Sequence, residues 1–431
     1  MDIKVFKFGG ASVNSAKGVR NVASIIGLFP GDSIVMIISA MGKTTNALEE
    51  VLKCYLSDDT KGMETSFERM KDFHFSILNE LFKKKNHRVF SEMEALFDEL
   101  HGSLRKGMNK AKKPGADFEY DRVVSYGEIF ATTIVHHYLL LSGIPSRLFD
   151  SRELVRTDSS FRDARVDWNF TGKKVRSEMK EYFSGKNSFR KVAVLQGFIG
   201  GDQEGNTTTL GREGSDYTAA IVAHSLGTRE VTIWKDVPGV MNADPKWFKN
   251  AKKLDLLTYH EAIELAYYGA SVIHPKTIKP LENANITLRV RSFLKPLQKG
   301  TTVEHRAEWK VTHPIYILKQ NQVLISLSPR DFSFIVEENL SQIFDILARH
   351  HVKVNVMQNS AISFTICVDA DRISGTGVLD VLRENYTLRY NDNVELLTIR
   401  HYNPAAISRI TKGRKILMEQ KTRNTIHLVV K

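Results

Sequence analysis

Cysteines and long apolar runs are what this 431-residue sequence has least of. Two cysteines, Cys54 and Cys367, are too few for a disulfide framework or a thiolate zinc site, so we expect a reducing compartment. The longest apolar stretch near the start, at 34–41, is interrupted by Ser39 and is far shorter than the ~20 residues that span a bilayer. The chain opens on a strand-like segment at 3–8 without the pattern of a signal peptide. A cytoplasmic protein with no membrane partner is therefore expected.

Charge is unevenly distributed along a composition that is otherwise ordinary for a globular protein. Hydrophobic residues make up 42% and charged residues 26%, and a prior of about 150 residues per domain predicts two or three domains. The net charge is +12, of which residues 400–431 supply +7 through eight Lys or Arg against one acid. Such a basic end can mark nucleic-acid binding. Interleaved apolar residues such as Ile407 and Ile410 favour instead the solvated face of a small folded module.

Short apolar runs alternate with helical patterns in the first half of the chain. Strands are predicted at 3–8, 33–39, 191–198 and 231–235, and helices at 17–29, 44–56, 126–142, 215–226 and 258–268. This alternation is typical of a mainly parallel sheet sandwiched by helices. A wholly helical, amphipathic stretch at about 60–112 is predicted to be a helical pair inserted into that domain.

After residue 305 the pattern changes. Strand, helix, strand, strand, helix and strand follow one another, from the strand-like segments at 316–318 and 323–327 to the strand at 394–399. That order is the ferredoxin-like β-α-β-β-α-β unit, an α+β fold that usually binds a ligand or partner. We therefore predict a first domain at 1–305 and a regulatory region at 311–431, in which a second such unit is shortened.

Glycine-bearing loops follow four of the predicted strands of the first domain. In an open parallel sheet, ligands gather beyond the carboxyl ends of the strands, where paired glycines let backbone N–H groups approach phosphate oxygens. A single Gly-Gly pair is usually only a tight turn, but four such loops at equivalent positions favour a phosphate site. The loops are Lys7-Phe-Gly-Gly-Ala-Ser12, Ser39-Ala-Met-Gly-Lys-Thr-Thr45, Gly197-Phe-Ile-Gly-Gly201 with the following 207–216, and Lys235-Asp-Val-Pro-Gly239 with the following 240–246.

Two familiar nucleotide motifs are excluded. Gly42-Lys-Thr44 resembles the end of a P-loop, but a P-loop needs glycine at position 37, which is Ile37. No G-x-G-x-x-G follows a strand either. What remains is a phosphate site in which Lys7 stabilises a transferring phosphoryl group and Arg212 binds a carboxylate. Asp216 lies at a helix start, where capping the helix is as good an interpretation as catalysis.

Two further residues have structural alternatives. Ser125 and Glu128 open a helix with the spacing of a capping box, which favours a structural role for Glu128. His274 precedes Pro275 and is more easily explained as a packed or capping histidine than as a base. The fourteen histidines show no metal-ligand spacing, and no metal-binding residues are predicted.

Taken together, these loops resemble the motifs of the aspartate kinases (aspartokinases) of the amino-acid kinase superfamily. The resemblance covers residues 3 to about 305, and the tail at 311–431 is similar to the ACT regions that follow the kinase domain in this family. The motifs that carry it, in the family's order, are Lys7-Phe-Gly-Gly-Ala-Ser-Val13, Ser39-Ala-Met-Gly-Lys-Thr-Thr-Asn46, Gly127-Glu128, Thr208-Thr-Leu-Gly-Arg-Glu-Gly-Ser-Asp-Tyr217, Trp234-Lys-Asp-Val-Pro-Gly239, Asp244-Pro245 and Gly269-Ala-Ser-Val-Ile-His-Pro275.

The resemblance implies ATP-dependent phosphorylation of the side-chain carboxylate of L-aspartate, with Mg²⁺, as the first step towards lysine, threonine and methionine. Lys7 and Asp216 would be catalytic, with Asp216 organising Lys7. Ser39 and Thr45 would hold the aspartate side chain, Glu128 its ammonium group and Arg212 its α-carboxylate. Residues implied to contact ATP are Lys7, Gly9, Gly10, Ser12, Gly214, Ser215, Lys235, Asp236, Met241, Lys246, Ser271 and Lys276.

The sequence departs from the family at Ala11, usually threonine, at Glu213, commonly glycine, at Met241, often aromatic, and at Ser271, often lysine. The implied partners are aspartate, ATP, a second copy of the chain through the ACT region, and an amino-acid effector whose identity the residues do not reveal. Two alternatives stay open: another carboxylate or carbamate kinase of the superfamily, and a catalytically silent regulator whose basic tail binds nucleic acid.

Overall fold

The computed structural model describes residues 3–108, 114–184, 192–269, 273–305, 313–331 and 333–431. Within these ranges the chain packs as two compact units. The first unit comprises residues up to 240, 253–263 and 273–305, and the second comprises 241–252, 264–269 and the residues from 313 onwards. Two short segments that precede residue 305 therefore pack with the second unit. Among the described residues, no helix combines the length and the apolar character needed to cross a bilayer.

An eight-stranded sheet forms the centre of the first unit, in the order β3-β4-β2-β1-β7-β9-β10-β8. Neighbouring strands run parallel from β3 to β9, and only the pair β9 and β10 is antiparallel. A small hairpin, β5 and β6, lies beside it. The strands are β1 Ile3–Phe8, β2 Ser33–Ile38, β3 Ser146–Phe149, β4 Val192–Gln196, β5 Ile199–Gly201, β6 Thr207–Thr209, β7 Glu230–Lys235, β8 Leu256–Thr258, β9 Thr287–Ser292 and β10 Thr301–Glu304.

Helices cover this sheet, and their apolar residues build its core. The predicted strands at 3–8 and 33–39 and helices at 17–29 and 44–56 are confirmed, as is the helical pair within 60–112, whose residues 109–113 lie outside the described ranges. The helices of the first unit are α1 Ala16–Gly27, α2 Thr44–Leu56, α3 Thr60–Leu81, α4 Arg88–Gly107, α5 Ala116–Val124, α6 Tyr126–Leu141, α7 Ser151–Leu154, α8 Trp168–Ser184, α9 Gly214–Leu226, α10 Tyr259–Tyr267, which continues into the second unit, and α11 Pro275–Asn283.

The sequence explains the central strands directly. All six residues of β2 (Ser-Ile-Val-Met-Ile-Ile) are buried, as expected for a parallel strand covered on both faces. In α1, Ser15 accepts a hydrogen bond from the Gly18 N–H at 3.2 Å, and the buried residues Val19, Val22 and Ile26 recur at helical spacing. Strands β4, β2, β1 and β7 are neighbours, so their carboxyl ends, each followed by a glycine-bearing loop, lie at one edge of the sheet.

The second unit contains a six-stranded antiparallel sheet in the order β12-β13-β11-β14-β16-β15. Within it, β12-β13-β11-β14 with two helices has the strand order of a ferredoxin-like fold, so the predicted combination of a parallel α/β sheet and an α+β region is confirmed. The elements are β11 Ile315–Pro329, α12 Glu337–Arg349, β12 Val354–Asn359, β13 Phe364–Asp369, α13 Val378–Asn385, β14 Tyr386–Arg400, α14 Pro404–Thr411, β15 Ile416–Lys421 and β16 Thr425–Val430.

The strand pattern predicted for this region needs one correction. The segments at 316–318 and 323–327, taken as two strands, belong to one strand, β11, whose pairing with β14 is irregular between Lys319 and Gln322. The strand placed at 394–399 likewise starts at Tyr386, because its polar first half still pairs with β11. The two long strands extend one sheet through both halves of the unit, and the second half adds β15, β16 and α14.

Candidate active site

The loops after β1 and β2 are packed so closely that glycine is required at their contact. The Gly42 N–H donates to the Gly10 carbonyl at 3.1 Å, and a Cβ atom on Gly10 would lie 2.6 Å from the Ala40 carbonyl oxygen. The Gly9 carbonyl accepts from the Ser12 N–H at 2.9 Å, which closes the turn after β1. At Gly9, the neighbour that a Cβ atom would meet is the Lys7 ammonium, at 3.4 Å.

A buried cluster of three charges lies at the same edge. Lys7, at the end of β1, is 2.6 Å from the Asp216 carboxylate, and Lys235, at the end of the neighbouring β7, is 3.7 Å from its other oxygen. Burial alone would raise the pKa of Asp216, but the two ammonium groups hold it below its ordinary value. Asp216 is thus a fixed anion between two cations, and the cluster keeps an excess positive charge.

Asp216 does not cap its helix. Helix α9 begins at Gly214, and its N-cap residue is Glu213, whose backbone is left-handed with φ of 54°. Left-handed backbone favours glycine, which gives a physical reason for the glycine that the aspartate kinases commonly have at this position. Asp216 follows in the first turn, where the helix dipole also favours an anion. The capping interpretation of Asp216 is therefore wrong.

A cavity of about 270 Å³ lies at this edge of the sheet. It is lined by residues of three loops that are predicted to contact ATP. Sequence reasoning did not assign two aromatic residues that also line it, Trp234 and Phe293. The full lining is Lys7, Gly9, Gly10, Ala11, Ser12, Ser39, Glu213, Ser215, Asp216, Trp234, Lys235, Asp236 and Phe293.

A second cavity, of about 430 Å³, collects the four residues predicted to hold an amino acid. Ser39, Thr45, Glu128 and Arg212 all line it, although they come from three separate segments. The two cavities share Ser39, Glu213 and Ser215, and the Ser215 hydroxyl donates to the Ser39 hydroxyl at 3.2 Å. The remaining lining residues are Tyr120, Arg162, Phe198, Gly211, Glu213, Gly214 and Ser215.

Glu128 is buried and only half satisfied. The capping box predicted with Ser125 is wrong, because Ser125 makes no side-chain cap and Glu128 instead accepts the Ala40 N–H at 3.1 Å. Its other oxygen has no hydrogen-bond partner in the described part of the chain. Burial raises the pKa of Glu128 to about 8, an effect that the Ala40 hydrogen bond and the Lys7 charge only partly offset. In the ligand-free protein the carboxyl group is therefore mostly neutral at pH 7.

Gly127 explains how Glu128 reaches that position. A Cβ atom on Gly127 would lie 2.9 Å from the Ala40 side chain, so glycine lets the start of α6 approach the loop after β2. Five of the nine buried side-chain polar atoms that lack a hydrogen-bond partner in the described ranges belong to cavity-lining residues, namely Ser12, Glu128, Glu213, Asp216 and Trp234, although Asp216 forms the ion pair with Lys7. Buried polar atoms of this kind are usually satisfied, so their concentration here indicates a polar ligand.

Tyr120 and Arg162 are cavity residues that sequence reasoning missed. The Arg162 guanidinium lies 4.2 Å from the centre of the Tyr120 ring, and the Tyr120 hydroxyl donates to Glu49 at 2.9 Å. Arg162 has a left-handed backbone with φ of 69°, and its N–H donates to the buried Asp121 at 3.0 Å. No periodicity or motif marks these residues, since α5 and the loop that contains Arg162 meet only in the folded chain.

The remaining predicted ATP contacts are placed differently. Lys276 is ion-paired with Asp163 and is not among the described residues that line either cavity. Met241 and Lys246 lie on the segment 241–252 that packs with the second unit, and Ser271 lies outside the described residues. His274 caps α11 by accepting the Lys276 N–H at 3.3 Å, which confirms the structural interpretation of that histidine.

Comparison with known proteins agrees with this architecture. Residues 2–292 match the model of the amino acid kinase family, and the chain belongs to that family. It is 32% identical over 377 residues to Aspartokinase 1, chloroplastic, of Arabidopsis thaliana, covering 86% of this chain and 64% of that protein. It is 30% identical over 381 residues to Lysine-sensitive aspartokinase 3 of Escherichia coli (strain K12), covering 87% and 80%. Within the family, the chain is thus a member of the aspartokinases.

A solved structure extends the similarity to the whole chain. E. coli aspartokinase III in complex with aspartate and ADP superposes with a TM-score of 0.79 at 25% identity, over 100% of this chain and 96% of that one. The similarity therefore includes the antiparallel second unit as well as the kinase sheet.

The ionisation of Glu128 can be measured without any substrate. In protein labelled with ¹⁵N-alanine, the Ala40 amide should shift with a midpoint near pH 8, because its hydrogen-bond acceptor loses a proton there. In Glu128→Gln the same resonance should stay constant over that range. A midpoint near the ordinary glutamate value of about 4.3 would show that burial does not control this carboxyl group.

Proposed function

We propose that the chain transfers the γ-phosphoryl group of ATP to the side-chain carboxylate of L-aspartate, giving 4-phospho-L-aspartate and ADP. The observation that carries the proposal is the pair of adjoining cavities that share Ser39 and Ser215. One contains Lys7 and a glycine-rich backbone, which suit phosphate groups, and the other contains two acids and two arginines, which suit an amino acid. The aspartate and ADP bound to the E. coli relative support this pair of ligands.

The proposed chemistry needs no general base. A carboxylate oxygen of aspartate attacks the γ-phosphorus, the bond from that phosphorus to the β,γ-bridging oxygen breaks, and ADP leaves with the bond's electrons. Phosphoryl transfer depends on positioning and on positive charge around the transferred group. Lys7 supplies that charge, and Asp216 acts as a positioning residue that holds the Lys7 ammonium at 2.6 Å.

Mg²⁺ would be bound at this site mainly by the phosphates of the nucleotide and not by a set of protein side chains. Among the described residues no group of three His, Cys, Asp or Glu side chains could hold a metal ion, and Asp216 already faces two lysines. Mg²⁺ commonly keeps several waters and binds substrate phosphates with one or two carboxylates. When bound, it would neutralise charge on the phosphates, while Ser12 and Lys235 hold them; the nucleotide contact of Asp236 stays a prediction. Contacts of Met241, Lys246, Ser271 and Lys276 with the nucleotide stay predictions.

The acids and arginines that line the second cavity favour a free amino acid. We assign the α-carboxylate to Arg212 and the α-ammonium to Glu128, with Ser39 and Thr45 towards the side chain. The product, 4-phospho-L-aspartate, would enter lysine, threonine and methionine synthesis, as the resemblance to the aspartate kinases implies.

Activity is tested by ADP release with aspartate, together with trapping of the acyl phosphate by hydroxylamine. Lys7→Ala should lower kcat by about a hundred- to a thousandfold, because it removes a charge directed at the transferring group. Lys4→Ala is the matched control, since Lys4 lies on the same strand and pairs with Asp32 at 2.8 Å. Turnover of glutamate, N-acetylglutamate or a nucleoside monophosphate in place of aspartate would contradict the assignment.

Glu128 separates aspartate from substrates with a blocked amine. Glu128→Ala should raise KM for aspartate by about thirty- to a hundredfold with little change in kcat, since a lost charged contact in a buried site costs on the order of 2–3 kcal/mol. Glu99→Ala serves as the control. Glu99 accepts a hydrogen bond from Tyr126, which lies on the same helix as Glu128, and Glu99 itself lies outside the cavity. Unchanged kinetics in Glu128→Ala would favour another carboxylate or carbamate kinase.

The second unit offers an exposed edge for self-association, and we propose a homodimer through it. Strand β12 is the outer strand of its sheet, and the exposed apolar side chains Met357 and Ile362 lie on and just after it. Unpaired edge strands commonly pair with another copy. Light scattering should give the mass of a dimer at micromolar concentration, and a monomer alone would contradict the proposal.

An amino-acid effector of the second unit is a separate question, raised by the lysine sensitivity in the name of the E. coli relative. Titration calorimetry with lysine and with threonine distinguishes an effector-binding unit from one that serves only association.

A further inference from the structure

The second unit contains a cavity of about 520 Å³ that has no part in the proposed reaction. One wall is the turn at 242–251, and the opposite wall is formed by β11, β14 and the end of α14. The cavity shares no lining residue with the two cavities of the first unit. Its volume lies within the range of about 300–1,000 Å³ that is typical of sites for small molecules.

Aromatic rings form one side of this cavity. Phe248 stacks on Tyr316 with ring centres 5.4 Å apart and an interplanar angle of 25°. The Arg409 guanidinium lies 4.8 Å from the centre of the Tyr316 ring. Trp247, on the same turn as Phe248, is 53% exposed, so about half of this large flat side chain at the cavity is accessible.

The charges around the cavity are mainly positive. Lys249, Arg409, Lys412 and Arg414 line it together with a single acid, Glu395. Glu395 is already neutralised, because it lies 2.6 Å from Arg414 and accepts the Gln320 amide at 3.0 Å. Lys249, Arg409 and Lys412 form no ion pair within the described ranges of the chain. The basic C-terminal segment thus places two of its unpaired cations at a preformed cavity.

Hydrogen bonds hold the turn that forms the wall. The Asn242 side chain donates to the Pro314 carbonyl at 2.9 Å and accepts the Lys252 N–H at 2.6 Å, which closes the turn at both ends. The Asp244 carbonyl accepts the Phe248 N–H at 2.9 Å. The aromatic surface is therefore fixed before any ligand arrives, which lowers the entropy cost of binding.

We propose that this cavity is a second ligand site, which binds a nucleotide through its phosphate and its base. Arginine and lysine side chains without a counter-charge recognise phosphate. Flat, exposed aromatic side chains stack on nucleotide bases of every type. An aliphatic amino acid would pair its α-carboxylate with one of the cations but leave the aromatic surface unused, and a neutral ring would use only the aromatic surface.

The probe is AMP, and its binding to the full chain is measured by titration calorimetry. AMP should bind the wild type, and Arg409→Glu with Lys412→Glu should weaken that binding at least about thirtyfold, because two charge-assisted contacts become repulsive. Lys415→Glu with Arg423→Glu makes the same change of charge on exposed residues of the same basic segment outside the cavity, and should bind AMP like the wild type. Adenosine and inorganic phosphate should each bind more weakly than AMP.

Trp247 reports where AMP binds. AMP should quench tryptophan emission of the wild type, and Trp247→Phe should lose the quench while keeping the heat of binding, since phenylalanine still stacks. If the double variant unfolds early in a thermal melt, Arg409→Gln replaces it and should still weaken AMP binding.

Several outcomes would overturn the proposal. AMP binding that survives in Arg409→Glu with Lys412→Glu but is lost in Lys7→Ala belongs to the catalytic cavity. Equal affinity for inorganic phosphate and AMP would show that the cavity recognises only negative charge. Binding of a single-stranded RNA oligonucleotide without binding of AMP would show that the basic segment binds nucleic acid. Because Arg409, Lys412 and Trp247 lie outside the proposed active site, the aspartate-dependent ADP release of their variants should be unchanged, so the two proposals fail independently.

Discussion

The candidate active site depends on one buried cluster, in which the Asp216 carboxylate is shared by the ammonium groups of Lys7 and Lys235. Buried charges are costly unless they are paired, and removing one partner of a buried pair is strongly destabilising. This cluster lines the smaller cavity together with the backbone of the Gly9–Gly10 loop. The fold provides this arrangement because β1 and β7 are adjacent parallel strands whose carboxyl ends meet the start of α9.

The same loops connect the two cavities. Ser39 follows β2 and Ser215 lies in the first turn of α9, and their hydroxyl groups touch at 3.2 Å on the wall that both cavities share. Two substrates held on either side of this contact would have their reacting groups close together, which is the main requirement of phosphoryl transfer. The glycine contacts at Gly10 and Gly127 are what allow the loop after β2 to lie so near both β1 and α6.

Sequence patterns predicted what depends on local spacing and on parallel topology. The buried run of β2 and the glycine loops were identifiable from local spacing, whereas the grouping of Ser39, Thr45, Glu128 and Arg212, which line one cavity, came from the family resemblance. Spacing misassigned Glu128 as half of a capping box, because its true partner, the Ala40 N–H, is 88 positions away. Arg162 and Tyr120 carried no signal for the same reason, and the polar residues of Tyr386–Asn393 concealed half of β14.

Glu128 and Asp216 are both buried carboxyl groups of the candidate site, but their pKa values are shifted in opposite directions. Asp216 stays ionised because two ammonium groups lie against it, whereas burial outweighs the Lys7 charge at Glu128 and raises the pKa of Glu128 to about 8. A substrate ammonium would supply the missing charge and favour the ionised carboxyl group, so binding would release a proton near neutral pH. A ligand without that ammonium would leave Glu128 neutral and gain no ion pair, so this pocket discriminates by charge state as well as by shape.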